Sequence, residues 1–505
     1  GSVADEVNSI LAPASVPLDE TQEEIRSAIL EDVGSEHAAF DPTLRRAAVH
    51  HGDLLPLERR LTESVFRARR DGESAALGLD VIAATSTIAQ GLNLPCDVVV
   101  LAGTDRSAVD DPNGNPRTDL RPHEILNALG RAGRAAYSAT GLSIVVPAQP
   151  IRVDPDELAF APQSVLNTVF SDQDACEEIF DPIELLLDQV EASVNLDAKM
   201  QAMIRRLSSV TEDGASGFDD IVRRSLGYFR KKAASAADAD KWLERRRTAL
   251  EKAEEALGDP PVLDWQREIA VRNGIPPRLI ERLADALQAT SMETDSTADW
   301  MSWLLDIIAE HPLDLTIFVR GAALESVFGR AYSNTSKPKE TARLILKTLK
   351  TLVSMWCGGQ SLVEIEEWLL VFVQKHEGQV SRKASRSTTA QRARRFAIRI
   401  TPDLGFLCGV LGQVTNHLSE EADAPKRPVI EMLPQMIRAG DHTRHHAILR
   451  QLQAVSSRVK TYKRCEQLRS NFSAGPQSSI EEIRHDVTLA TLVEAFTDFG
   501  KGDDA

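Results

Sequence analysis

Three short runs constrain the first part of this chain: LDVIAATS at 79–86, DVVVLAGT at 97–104 and LSIVVP at 142–147. Each is rich in Val, Ile, Leu and Ala, and each ends at turn-forming residues. Runs of this kind read as buried strands. Between and before them lie segments with helical spacing, PLERRLTESVFRARR at 56–70 and HEILNALG at 123–130. A further short apolar run, LRRAAVHH at 44–51, ends in a polar turn. Strands that alternate with helices specify a parallel α/β sheet. Ligands on such sheets bind at the carboxyl ends of the strands. Thr85, Ser86 and the 103–106 loop lie at those ends.

Past residue 150 the strand signal fades and helical periodicity takes over, broken by polar or Pro/Gly loops such as 208–217, 258–261, 334–340, 419–428 and 473–479. Thr21 with Glu24 and Ser478 with Glu481 have the spacing of a capping box. The expectation is an α/β domain over 1–150, a helical connector over 151–258, a helical module over 259–333 and a helical C-terminal domain over 334–505. A chain of 505 residues can bury several cores.

The net charge of −17 argues against coating nucleic acid by bulk charge. It leaves open a local basic channel that grips one strand. Cys96, Cys176, Cys357, Cys408 and Cys465 are scattered and form no CxxC pair, so neither a zinc site nor a disulfide framework is indicated. Scattered thiols fit a reducing, cytoplasmic setting. The longest apolar run, WLLVFV at 368–373, is far too short to cross a membrane.

Three segments carry the chemistry: AVHHGDLLPLERRLTE at 48–63, IAATSTIAQGLNLP at 82–95 and NALGRAGRAAYSATGLSIVV at 127–146. Thr85, Ser86 and Thr87 offer hydroxyls at a strand end. Gly91 and Asn93 permit a tight turn. Arg131 and Arg134, each after a glycine (Gly130 and Gly133), offer planar guanidinium forks suited to phosphate. Taken singly, an arginine after a glycine is a helix C-terminal turn with a solvated charge. Together the segments provide charge stabilisation for phosphoryl transfer. His50 and His51 have no acidic or Cys partner at ligand spacing and read as strand-end or turn residues. Asp53 reads as a surface or capping residue.

ATSTIAQGLNLP resembles motif V of superfamily-2 DEAD/DEAH-box type helicases, in the form of the superkiller-like branch. NALGRAGR resembles motif VI, with Asn127 where Gln is usual. HHGDLLPLERR resembles the segment between motifs IV and V. The resemblance covers roughly the first 150 residues. It implies a second RecA-like domain whose motif VI arginine reaches the γ-phosphate of ATP across a cleft. That role falls on Arg134, with Arg131 beside it. Gly91, Asn93, Gly130 and Gly133 would shape the nucleotide side, and Thr85, Ser86 and Thr87 would touch the nucleic-acid backbone. ATP and Mg²⁺ would be held mainly by a first RecA-like domain.

The sequence holds no GxxxxGK[ST] loop, and its one Gly-Lys pair, Gly500-Lys501, lies near the chain's end. Asp5-Glu6, Asp19-Glu20 and Asp156-Glu157 follow no apolar strand, so none is a DExx box. The chain opens GSVADEVNSI, where the family's second domain opens on a strand running into Ser. The expectation is the C-terminal portion of a helicase, cut just after that strand and inactive towards ATP alone.

In the helical remainder, QREIAVRNGIPPRLIERLADAL at 266–287 reads as helix, Asn-Gly turn, helix. It suits either a DNA-reading pair with Arg278 and Arg282 outward or a winged-helix-like packing module, and the resemblance favours packing. SRKASRSTTAQRARRFAIRI at 381–400 has seven cations and no acid, including Arg382, Arg386, Arg392 and Arg395. It suits either a strand-binding channel or a solvated face paired with Glu364, Glu366 and Glu367. WCGGQSLVEIEEWL, just upstream, loosely resembles the helical C-terminal module of the same branch. IRAGDHTRHHAILRQL at 437–452, an Arg-Ala-Gly turn with His and Arg on a helix, suits either a grip on a nucleic-acid backbone or, more commonly, an exposed helix start, and YFRKK at 228–232 reads as a solvated helix face.

The expected function is the C-terminal part of an ATP-dependent helicase acting on DNA or RNA, 3′ to 5′ if it follows its branch. The alternative is a non-catalytic scaffold that binds nucleic acid or a protein partner.

Overall fold

The computed structural model describes residues 2–11, 18–35, 46–68, 79–85, 96–103, 105–107, 117–120, 122–133, 140–146, 181–192, 200–201, 203–207, 216–258, 262–333, 336–377, 389–421 and 427–502. These are mostly helical, with small parallel strand pairs confined to the first part of the chain. They divide into two compact units. One holds the residues before Leu30 together with those from Arg46 to Val146. The other holds 30–35 and everything from Asp181 onward.

In the first unit, strand β1 (Ala47–His50) pairs in parallel with β2 (Val81–Ala84), Ala47 opposite Val81 and His50 opposite Ala84. The parallel register needs a crossover, which helix α3 (Pro56–Ala68) helps to span. Helix α1 (Ser2–Ile10) closes over this pair. Ala4 packs with Ala47, Val49 and Leu54, and Val7, Val81 and Ala83 pack against them. Asn8 fixes the start of β1: its Oδ1 accepts from the Ala47 and Arg46 amides at 2.8 and 3.1 Å, and its Nδ2 donates to Ala47 O at 2.8 Å.

Strand β3 (Val98–Ala102) pairs in parallel with β6 (Leu142–Val146). Two three-residue strands, β4 (Asp105–Ser107) and β5 (Arg117–Asp119), form an antiparallel pair between them in sequence. Among the described residues these pairs remain separate two-stranded pieces. The sequence reads β3 and β6 as buried, and the structure corrects this. Val98, Val100 and Leu142 are 49–56% exposed, because α4 (Pro122–Leu129), with Ile125 buried, packs against β3 without covering both faces of the pair.

The second unit contains two described hydrophobic assemblies. The first gathers Leu187, Val190, Ile204, Phe218, Val222, Tyr228, Trp242, Leu243 and Leu250. Arg246, buried among them, lies over Trp242 and pairs with Asp188 and Glu191. The second is built on the long helices Pro338–Cys357, Thr401–Glu421 and Pro428–Ala439, whose buried faces carry Leu and Ile at helical spacing. Helix Asp264–Asn273 meets helix Pro277–Ala289 through a turn at Gly274 (φ 69°), so the helix–turn–helix read from the sequence forms.

The helix starts differ in detail. Helix α2 (Glu20–Val33) is boxed by Asp19 and Gln22, each side-chain oxygen accepting from the other's backbone amide, at 2.7 and 3.1 Å, instead of by Thr21 and Glu24. Helix Ile480–Gly502 is boxed by Ser479 and Glu482, at 2.7 and 3.3 Å. In both cases the same chemistry is present one or two residues from the expected pair. Ser478 is instead occupied with the Gly475 amide at 3.2 Å.

Candidate nucleotide and nucleic-acid interface

The turn after α4 is built by close backbone approach. The amides of Gly130, Arg131 and Ala132 point back to the carbonyls of Leu126, Ala128 and Leu129, tightening the helix end. Ala132 then bridges in parallel to Cys96, and the Gly133 amide donates to Cys96 O at 3.0 Å. Gly133 has φ +64°, and a Cβ there would stand 2.5 Å from the Gly141 nitrogen. A Cβ on Gly141 would stand 2.4 Å from Gly133 N. Only a glycine pair lets these two segments touch. The Cys96 thiol donates to Arg131 O at 3.2 Å. Arg131 is buried in this turn, not a solvated charge at a helix end. The turn meets β3 at its beginning, while Gly103 closes the other end of the pair by donating to Val146 O at 2.8 Å.

Thr85 leaves β2 at its carboxyl end and is exposed. Its amide donates to His50 O at 3.2 Å. His50 is buried beneath it, with Nε2 3.0 Å from Glu63 Oε1 on α3. His51 Nδ1 accepts from the Asp53 amide at 3.2 Å. Both histidines are therefore strand-end and turn residues, as read. Ser86, Thr87, Gly91, Asn93, Arg134, Arg382 and Arg386 lie outside the described residues.

The described arginines of the basic segment are used inside the second unit. Arg392 donates to Val327 O at 2.7 Å and Arg395 to Ser326 O at 3.4 Å. Those carbonyls belong to the last turn of helix Gly321–Phe328, where cations offset the negative dipole end. Glu366 is buried and accepts from the Ala393 amide at 2.8 Å. Burial pushes its carboxyl up, and the Ala393 and Arg392 amides with the Arg392 and Arg395 charges offset this in part. Glu364 instead caps its own helix through Ser361. Arg278 and Arg282 both point to the buried Asp314, at 3.0 and 2.5 Å. That geometry is packing, and it presents no arginine row to a groove.

The 437–452 segment is the clearest correction. It is not an exposed helix start but the most polar buried region described. Arg444 is fully buried. It donates to Asp295 at 2.8 Å and to the carbonyls of Gly475, Pro476 and Ser478. Asp441 is buried against Arg450, which holds it with two bonds of 2.8 Å. Arg458 lies 4.2 Å over the Trp356 ring and donates to Trp356 O and Gln360 O. Asp32, half-buried, accepts from Ser457 Oγ at 2.8 Å and Val459 N at 3.1 Å. Burial pushes the Asp32 carboxyl up, and Arg458 and these hydrogen bonds only partly offset it.

No protein-family model matches the chain. A stretch of 175 residues is 29% identical to the chloroplastic DExH-box ATP-dependent RNA helicase DExH15 of Arabidopsis thaliana, over 34% of this chain and 12% of that protein. A stretch of 102 residues is 37% identical to the antiviral helicase SKI2 of Saccharomyces cerevisiae, over 20% of this chain and 7% of the relative. A stretch of 99 residues is 33% identical to the U5 small nuclear ribonucleoprotein 200 kDa helicase of Homo sapiens, over 20% and 4%. In these stretches the chain is similar to helicases of the DExH-box and SKI2 kind. It spans at most 12% of the length of these three helicases.

Two supporting residues of the turn escape sequence reading. Gly141 faces Gly133, and Cys96 binds the turn through its carbonyl and thiol. The signal for Gly141 is a glycine directly before an apolar strand. Cys96 carries no local signal, because its role depends on a bridge to a residue 36 positions away. No helix among the described residues is long and apolar enough to cross a membrane.

Proposed function

We propose that this chain supplies the second RecA-like domain and the helical C-terminal region of an ATP-dependent nucleic-acid helicase or translocase. The observation that carries the reading is the Gly130–Gly133 turn. Its backbone is locked against Cys96 and Gly141, so the arginine that follows leaves from a fixed point. Fixed donors aimed at developing charge are what phosphoryl transfer requires. Arg134 is the arginine finger, and Arg131 is the buried base of the turn. Thr85, Ser86 and Thr87 contact the strand backbone, and Gly91 and Asn93 shape the loop that links strand and nucleotide.

The donor set suits the phosphates of ATP, because guanidinium forks match phosphate oxygens. Among the described residues no three His, Cys, Asp or Glu side chains gather to hold a cation. In this reading the chain supplies the arginine side of the cleft, and a first RecA-like domain mainly holds ATP and Mg²⁺. In this reading the connector at 151–258 and the winged-helix-like module at 259–333 are packing modules, not strand readers.

A second reading is a non-catalytic scaffold. The use of Arg392 and Arg395 as internal donors favours it, since those cations are committed to the fold. The test is ATP hydrolysis by the polypeptide translated from the full reading frame, with single-stranded DNA, with RNA and with neither. Stimulation by one strand type supports the helicase and selects its substrate. A folded protein that hydrolyses no ATP under any of the three conditions supports the scaffold.

A further inference from the structure

Helix Leu226–Ala234 holds Phe229 in solvent, 66% exposed. The surrounding residues make this a rigid display. Ser225 Oγ caps the helix by accepting from the Tyr228 amide at 3.2 Å, and the Gly227 amide donates to Asp181 at 2.6 Å. A Cβ on Gly227 would stand 2.9 Å from Glu184 Oε2, so the helix sits tight on the residues below. Tyr228 is buried, and its hydroxyl donates to Asp240 at 3.1 Å. One aromatic ring of the pair therefore anchors the turn, and its neighbour is turned outward.

The charges next to Phe229 along the chain have one sign. From Arg223 to Lys232 the chain carries five cations and no acid. Arg223 and Lys231 are drawn to Asp240 and Glu184, at 3.7 and 4.0 Å. Arg224, Arg230 and Lys232 stand at exposed positions. Lys232 is three residues from Phe229, so the two share a helix face. In a chain of net charge −17 this is a local reversal.

We propose that this surface is a stacking platform for a single strand of nucleic acid. Phe229 lies under one base, and Arg224, Arg230 and Lys232 lie beside the phosphates. Base–aromatic stacking with flanking cations is how proteins hold single strands without reading sequence. A protein partner fits the surface less well. Apart from Phe229, only Ile221 (38% exposed) is a large apolar residue left open on this helix and the preceding one, Ser216–Arg223, among the described residues, and a stable protein interface needs on the order of 800 Å² from each side. The proposal rests on the helicase reading only for a strand being at hand, and binding is measured without ATP.

The test uses the full chain, with fluorescently labelled oligothymidylate and oligouridylate followed by anisotropy at several salt concentrations. Phe229→Ala should weaken binding about tenfold, and Phe229→Trp should restore it. Arg224→Glu with Lys232→Glu should weaken binding and flatten its salt dependence. The DNA and RNA arms show which strand the platform takes. The idea is overturned if Phe229→Ala binds as tightly as the parent, if Trp restores nothing, or if the parent binds neither oligonucleotide. A protein that copurifies with the parent and is lost from Phe229→Ala, while oligonucleotide binding is unchanged, would assign the surface to a protein instead. Unchanged binding by Phe229→Ala alongside strand-stimulated ATP hydrolysis would sink the platform and leave the helicase reading standing.

Discussion

Gly133 shows how one residue sets the geometry around a candidate site. Its left-handed φ and its approach to Gly141 leave no room for a side chain. Gly133→Ala should cost about 1–3 kcal/mol from the backbone conformation alone. It should also reduce strand-stimulated ATP hydrolysis by shifting the arginine that follows. Denaturant unfolding reads the first effect, and a loss below about 0.5 kcal/mol would contradict the clamp.

His446 sets a pH limit at the same scale. Burial pushes its imidazole down to about 3, helped by the Arg450 and Arg458 charges. Its Nδ1 accepts from the His442 amide at 3.0 Å, so it works as a neutral ring. In the unfolded chain the ring takes a proton near its ordinary 6.5. The unfolded state therefore binds more protons between about 6.5 and 3, and stability falls as pH drops through that window. Above 6.5 the contribution is fully present. His446→Gln keeps an acceptor and removes the titration. Its denaturation midpoint should change less between pH 7.5 and pH 5 than the parent's. An equal slope in both proteins would place the acid sensitivity elsewhere.

At the scale of elements, the strands with dense β-branched and Ala content are legible in the sequence. VIAA, VVVLA and LSIVV need only their own composition to be extended. The short strands β4 and β5, DRS and RTD, were not legible. Three polar residues carry no alternation, and their pairing is decided by each other. The polar core at 437–452 was misread for a related reason. Arg and His on a helix read as surface, since long charged side chains are seldom fully buried without partners. Here the partners come from 295, 475–478 and 486, far away in sequence.

The start of α2 gives an element-scale prediction. Asp19 and Gln22 make the reciprocal bonds, and Thr21 lies inside the first turn. Asp19→Ala should cost about 1 kcal/mol, whereas Thr21→Ala should stay within a few tenths. Unfolding of the two variants side by side distinguishes them. A larger loss from Thr21→Ala would restore the box read from the sequence.

For the whole molecule, the sequence carried the candidate site further than the fold did. The GRAGR turn is recognisable because its chemistry lies in five consecutive residues. Its supports, Cys96 and Gly141, are fixed only by folding. The net charge of −17 also bears on function at this scale. Strand binding must come from local cations working against the mean field, so it should weaken steeply with salt. The central claim is that Arg134 completes an ATP site built with another domain. The most direct measurement is kcat for strand-stimulated ATP hydrolysis by the full-length protein and by its Arg134→Ala variant, with melting temperatures alongside. An arginine finger predicts a loss of about 10³–10⁵ in kcat with an unchanged melting temperature. Equal kcat values in two equally stable proteins would contradict it.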